Sequence, residues 1–241
     1  MRIWVLCICL IADVGMVISH QQILSVRMLR ADAARVPQAS AVAAFAVVQG
    51  ESLYAMRCAA CHGPRGRGDS RRGVPSLVDD DWLYGDGSVD DIEQIVTYGI
   101  RSHHAKTANF ALMPAYATAH PHPTNAAIPS LSAGQIGDLA EFLLYSQGIR
   151  AGDAAVSRGA QLYQGKAGCY DCHGGDLKGD AAIGAPNLTD RITLYGDGSR
   201  QSLIASISDG RQGVCPAWSG RMSAAAIREV AFYVHSIVGI R

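Results

Sequence analysis

Cys58-Ala59-Ala60-Cys61-His62 and Cys169-Tyr170-Asp171-Cys172-His173 are two copies of one chemical arrangement. Two thiols three positions apart on one turn, with an imidazole directly after the second, form the C-x-x-C-H pattern of covalent c-type haem attachment. The thiols can add across the two vinyl groups of a porphyrin. The histidine that follows is placed to give the iron an imidazole nitrogen as proximal ligand. Two runs predict two covalently attached haem c groups, one on Cys58, Cys61 and His62, the other on Cys169, Cys172 and His173. A shared zinc site fits poorly, because the runs lie more than a hundred residues apart and offer six ligands to a metal that takes four. Redox dithiols of the C-x-x-C type accompany a βαβ pattern that this chain lacks.

Haem iron that only moves electrons usually carries a second axial ligand, and a methionine thioether raises its potential. Met113, in Leu112-Met113-Pro114-Ala115-Tyr116, is the candidate, since Pro114 marks a loop rather than a helix interior. Cys215-Pro216-Ala217-Trp218 aligns with Met113-Pro114-Ala115-Tyr116, so a cysteine stands at the second methionine position. Three outcomes stay open there. Cys215 binds iron as thiolate and favours Fe(III), Met222 takes the position instead, or the iron is left open or water-bound. His103, His104, His120 and His122 fall in loops broken by Pro121 and Pro123 and read as surface residues. His235 lies near the apolar face of a final helix and reads as packed or exposed rather than ligating.

The elements that must position these groups repeat as well. Cys58 to Gly99 aligns without a gap on Cys169 to Gly210, bringing Pro75 onto Pro186 and Leu83-Tyr84-Gly85-Asp86-Gly87-Ser88 onto Leu194-Tyr195-Gly196-Asp197-Gly198-Ser199. Upstream, Gly50 and Tyr54 match Gly159 and Tyr163. Each copy predicts helix, haem loop, helix, ligand loop, helix. Ser88 with Asp91 can cap one helix, which Gly99 ends. Ser132 with Gln135 can open another, carrying Ile136, Leu139, Ala140, Leu143 and Leu144 on one face. Ile227, Val230, Ala231, Val234 and Ile237 answer in the second copy. No segment alternates at period two for long, so the expected fold is all-α, two tandem cytochrome c-like domains. The domains are expected at residues 49–148 and 149–241, after a connector at 20–48.

With 241 residues and a formal net charge of zero, nothing points to nucleic acid. Of seven cysteines, four belong to the pentapeptides, Cys7 and Cys9 lie in an apolar leader, and Cys215 stands apart. Ile3 to Ile18 follow Met1-Arg2 as that leader, short of the ~20 residues that span a bilayer and interrupted by Asp13. Residues 1–19 therefore read as a signal-anchor or a removed signal peptide. Either one exports the rest of the chain. That places it on the periplasmic side of a bacterial inner membrane, anchored, or in the soluble periplasm if the leader is cleaved.

The pairing of GVPSLVDDDWLYGDGS (residues 73–88) with GAPNLTDRITLYGDGS (184–199), followed by TYGIRS, MPAY and DGRQGVCPAW, resembles the dihaem subunit III of cbb3-type cytochrome c oxidases. The resemblance covers residues 49 to about 238. It implies class I-like cytochrome c domains that pass electrons from a donor cytochrome toward a haem–copper oxidase, with a membrane anchor at the N-terminus. Carried over by position, Cys58, Cys61, His62 and Met113 would hold one haem and Cys169, Cys172 and His173 the other. Pro75 and Pro186 stand where such folds use a proline carbonyl to steady the proximal imidazole. Cys215 departs from the methionine the family expects. The expected role is an electron-transfer subunit in aerobic respiration, rather than a catalyst by itself. The alternatives are a free periplasmic dihaem carrier for a dehydrogenase, or a dihaem peroxidase or gas-binding protein if the second iron is open.

Overall fold

The computed structural model describes residues 22–28, 30 and 40–238. The apolar leader, with Cys7 and Cys9, lies outside them. Residues 22–28 are helical, and eight helices follow among the described residues: α1 (Ala41–Arg57), α2 (Ala59–His62), α3 (Val89–Tyr98), α4 (Ala133–Ser146), α5 (Ala154–Gln164), α6 (Tyr170–His173), α7 (Arg200–Asp209) and α8 (Ala224–Ser236). Extended backbone is confined to isolated bridges among these residues, so the all-α expectation holds. Helix α1 begins inside the stretch expected to be connector.

Local sequence explains where the helices start and stop. Ser40, Ser88, Ser132, Asp153, Ser199 and Ser223 each accept a hydrogen bond from a backbone N–H in the first turn of the helix that follows. Each satisfies a donor that the helix leaves orphaned. At Ser132 the box is reciprocal, with Gln135 Oε1 taking the Ser132 N–H at 2.9 Å. At Ser88 it is not. Asp91 reaches further back to the Asp86 N–H at 2.9 Å, and Asp86 takes the Ser88 N–H. Gly99 and Gly210 end α3 and α7 at φ +74° and +68°, a region that favours glycine.

Packing does not follow the order of the repeats. Helix α1 crosses α8, and α3 packs on α8, although α8 belongs to the second copy. Helix α4 of the first copy packs on α5 and α7 of the second. Two cores result. One joins Met28, Ala43, Ala46, Tyr54, Val89 and Ile92 to Val230, Ala231, Phe232, Tyr233 and Val234. The other joins Tyr116, Leu131, Ile136, Leu139, Ala140 and Leu143 to Tyr163, Ala167, Leu177 and Ile207. The first unit is thus built from both ends of the chain. The second is continuous, running from the Met113 loop through α7. Each sequence repeat contributes to both.

Glycine sets the distance at each helix crossing. A Cβ on Gly50 of α1 would lie 2.0 Å from the Glu229 carbonyl oxygen of α8. A Cβ on Gly159 of α5 would lie 2.1 Å from the Asp138 carbonyl oxygen of α4. One turn on, Tyr54 meets Tyr233 with ring centroids 5.2 Å apart, and Tyr163 meets Phe142 at 5.5 Å. Fully burying one such aromatic contributes roughly 1.5–3 kcal/mol. Ion pairs tie the same helices across the repeats. Arg228 of α8 holds Glu93 of α3 at 2.7 Å, and Arg200 of α7 holds Glu141 of α4 at 2.6 Å.

The two units face each other through reciprocal contacts. The Tyr195 ring lies over Gly73 and the Tyr84 ring over Gly184. Gly85 N–H donates to the Ala181 carbonyl at 3.2 Å, and Gly196 N–H to the Ser70 carbonyl at 2.8 Å. These pairs exchange under the repeat alignment, which is the mark of a pseudo-twofold relation.

Candidate functional site

The first pentapeptide follows α1 directly, with Cys58 as its C-cap, the second follows α5 after residues 165–168, and each winds one turn, α2 or α6. That turn puts both thiols and the imidazole on neighbouring positions. The five described cysteines are free thiols. His62 Nδ1 lies 3.1 Å from the Pro75 carbonyl and His173 Nδ1 lies 2.9 Å from the Pro186 carbonyl. A carbonyl only accepts, so Nδ1 carries the proton and Nε2 is left with its lone pair. Burial holds both imidazoles below their usual pKa, with the proline carbonyl opposing, which also favours the neutral, ligating form. Pro75 and Pro186 therefore do what the resemblance implied.

The loop after each turn is fixed the same way in both copies. Tyr54 Oη donates to the Gly63 carbonyl and Tyr163 Oη to the Gly174 carbonyl, each at 2.7 Å. Gly63 and Gly174 stand at φ +77° and +75°, directly after the histidines. The repeat alignment pairs the two tyrosines, but only the structure assigns them this role.

The distal loops are crossed. Met113 packs against the second core, as Cys169 does. It lies beside Gly210, where an added Cβ would be 2.5 Å from the Met113 carbonyl oxygen. Cys215 lies in the first unit, pairing its backbone with Ile100 in both directions at 2.9 and 3.0 Å. A Cβ on Gly99 would sit 2.4 Å from the Cys215 carbonyl oxygen. Met222 packs in the first core with Cys58. The sulfur residues are thus brought together as Cys58, Cys61, His62 with Cys215 and Met222, and as Cys169, Cys172, His173 with Met113. Grouping by position along the chain put Met113 with Cys58, and the structure does not bring those two together. Both loops are delivered by the helix exchange that forms the units, which is the physical reason.

Electrostatics separates these thiols from reactive ones. Burial, with Cys215 and then Cys61 adding like charge, pushes the Cys58 thiol up to about 11. Burial and then Cys61 push Cys215 up to about 11. Burial raises Cys169 to about 11 despite a hydrogen bond with Tyr116. Activated redox or nucleophilic cysteines are shifted the opposite way. Among the described residues no three His, Cys, Asp or Glu side chains converge to hold a bare metal ion. Two unpaired thiols and a neutral imidazole with its Nε2 uncommitted, within one turn, are the donor set that a covalent haem requires, and both sites supply it.

Three of the remaining histidines are engaged elsewhere. His104 Nδ1 accepts from the Lys106 N–H at 3.0 Å, and His122 Nδ1 accepts from the Asn125 N–H at 3.1 Å. Both stabilise loop turns. His235 Nδ1 lies 2.9 Å from the Gly87 carbonyl. Arg101, Tyr84 and Tyr116 were not singled out by sequence, although Tyr84 stands inside the repeated Leu-Tyr-Gly-Asp-Gly-Ser. Tyr116 Oη donates to the Ala167 carbonyl, joining the Met113 loop to the approach of the second pentapeptide.

The family profile described as cytochrome c oxidase, cbb3-type, subunit III matches residues 45–143 and 154–234. A cbb3-type cytochrome c oxidase subunit FixP from Bradyrhizobium sp. (strain ORS 278) is 38% identical over 81% of this chain and 62% of its own length. A subunit CcoP from Cereibacter sphaeroides is 36% identical over 81% of this chain and 62% of its own. A CcoP from Rhodobacter capsulatus is 39% identical over 79% and 62%. The chain thus spans about three-fifths of the length of these relatives.

Proposed function

Since the chain belongs to the subunit III family of cbb3-type cytochrome c oxidases, whose cofactor is covalently bound haem c, we propose that it is a dihaem electron carrier. It takes electrons from a donor cytochrome and passes them to the other subunits of a haem–copper oxidase. One observation carries this: the same donor set, with the same proline carbonyl behind the imidazole, is built twice in two units that face each other. Bound there, haem would supply one-electron uptake and release at its iron. Cys58, Cys61 and His62 would hold one haem, and Cys169, Cys172 and His173 the other.

The chain's own residues set the character of each site. Met113 would be the distal ligand at the second site. Cys215 is the distal residue at the first, because it stands to Gly99 as Met113 stands to Gly210, with Met222 the alternative beside it. The leader directs the protein to the periplasmic side of the inner membrane. Among the described residues no helix is long and apolar enough to cross a membrane. Intact mass and haem staining of a denaturing gel test the proposal. The expected mass exceeds the polypeptide by two haems. An increment of one haem or none defeats it.

A further inference from the structure

Arg101 sits where the two distal loops meet. Its Nε donates to the Gly213 carbonyl at 2.6 Å and its Nη1 to the Ala111 carbonyl at 3.2 Å, with Tyr84 Oη a longer contact at 3.4 Å. Gly213 lies two residues before Cys215, and Ala111 two residues before Met113. One guanidinium therefore grips the approach to both distal positions, one in each unit. Its planar fork can bond two carbonyls in fixed directions, which a lysine cannot.

The backbone around Arg101 adds to the grip. Arg101 stands at φ +47°, which non-glycine residues seldom adopt and which persists where the surroundings over-determine it. Its N–H donates to the Ala108 carbonyl at 2.9 Å, while Ile100 beside it pairs with Cys215. The main chain thus fixes the first distal loop, and the side chain reaches the second. All three side-chain acceptors are neutral. The repeat provides no second copy. Gln212 aligns with Arg101, and Arg211 instead places its guanidinium 4.7 Å from the Tyr195 ring centroid.

We infer that Arg101 is a positioning residue that clamps the Cys215 and Met113 loops together, so that the two distal sites loosen or tighten as one. The clamp rests on the dihaem reading for its consequence, and its geometry stands without it. The test is hydrogen exchange read by mass spectrometry on the full, haem-loaded chain, over residues 111–116 and 213–218. Arg101→Met removes the fork, and exchange should speed up about tenfold in both segments, as expected for losing a hydrogen bond from a charged donor. The visible spectra of both haems should change with it. Arg158→Met, which breaks an exposed pair with Asp138, should leave both segments and spectra unchanged. If either segment is unmoved by Arg101→Met, or if Arg158→Met moves them equally, the clamp is overturned. Where Arg101→Met does not accumulate, Arg101→Lys serves: its ammonium can hold one carbonyl, so the other segment should speed up, and unchanged exchange in both overturns the clamp. A sample lacking one haem by mass counts against the dihaem reading, and the exchange comparison still stands.

Discussion

At the scale of single residues, Cys215 makes the two sites unequal. If each site holds a haem as proposed, a Cys215 thiolate would stabilise Fe(III) and give the lower potential to the haem on Cys58 and Cys61. Cys215→Met should raise that potential toward the one served by Met113, while Met222→Ala leaves it in place. Each ~59 mV between the two haems is a tenfold bias in where one electron rests, so a redox titration reads the effect directly. Two equal potentials, unmoved by the substitution, would defeat this assignment. Glu229 gives a second residue-scale test. It is buried on α8, and burial alone raises its pKa. A carboxyl whose folded pKa lies above its unfolded value favours folding below the unfolded value and loses that contribution as pH rises through the folded one. Glu229→Gln should therefore raise the melting temperature at pH 7, with the gain shrinking toward pH 4. A gain that is independent of pH contradicts burial as the cause.

At the scale of elements, the glycines at the helix crossings are the sensitive points. Gly50→Ala forces α1 and α8 apart and should cost about 1–3 kcal/mol, as overpacking does. Gly134→Ala, near the start of α4, meets only the Ser132 hydroxyl at 3.9 Å. It should gain about 0.5–1 kcal/mol from helix propensity. Denaturant midpoints of the two variants should move in opposite directions. The caps and apolar faces of these helices were legible in the sequence, because Ser132-to-Gln135 and the Ile136, Leu139, Ala140, Leu143 spacing are local signals. The partner of each face was not. Both copies carry a glycine-bearing first helix and an apolar last helix, so own-copy and exchanged pairings bury nearly the same surfaces. Periodicity cannot distinguish them. The same degeneracy hid the crossing of Met113 and Cys215, whereas each pentapeptide is contiguous and can be read as a unit without knowing which helices pair.

At the scale of the whole molecule, the chain is one unit set inside another. A break after residue 148 separates α1 from α8 and α4 from α5, so neither fragment keeps a complete core. Fragments 1–148 and 149–241, produced together, should co-elute on size exclusion, and each produced alone should aggregate or be degraded. Independent folding of both fragments would contradict the exchanged packing. Segment 110–212 holds the whole of the second core and should fold by itself.

The nesting has a genetic reading. Recombination between the repeats that joins Gly99 to the residue after Gly210 deletes the inner unit in frame. What remains is α1, α2, α3, the Cys215 loop and α8, every piece of the first core, in the order of an ordinary single-haem chain. The duplication can therefore be undone in one step that keeps the first core whole, and the single-unit chain it leaves would carry the cysteine, not the methionine.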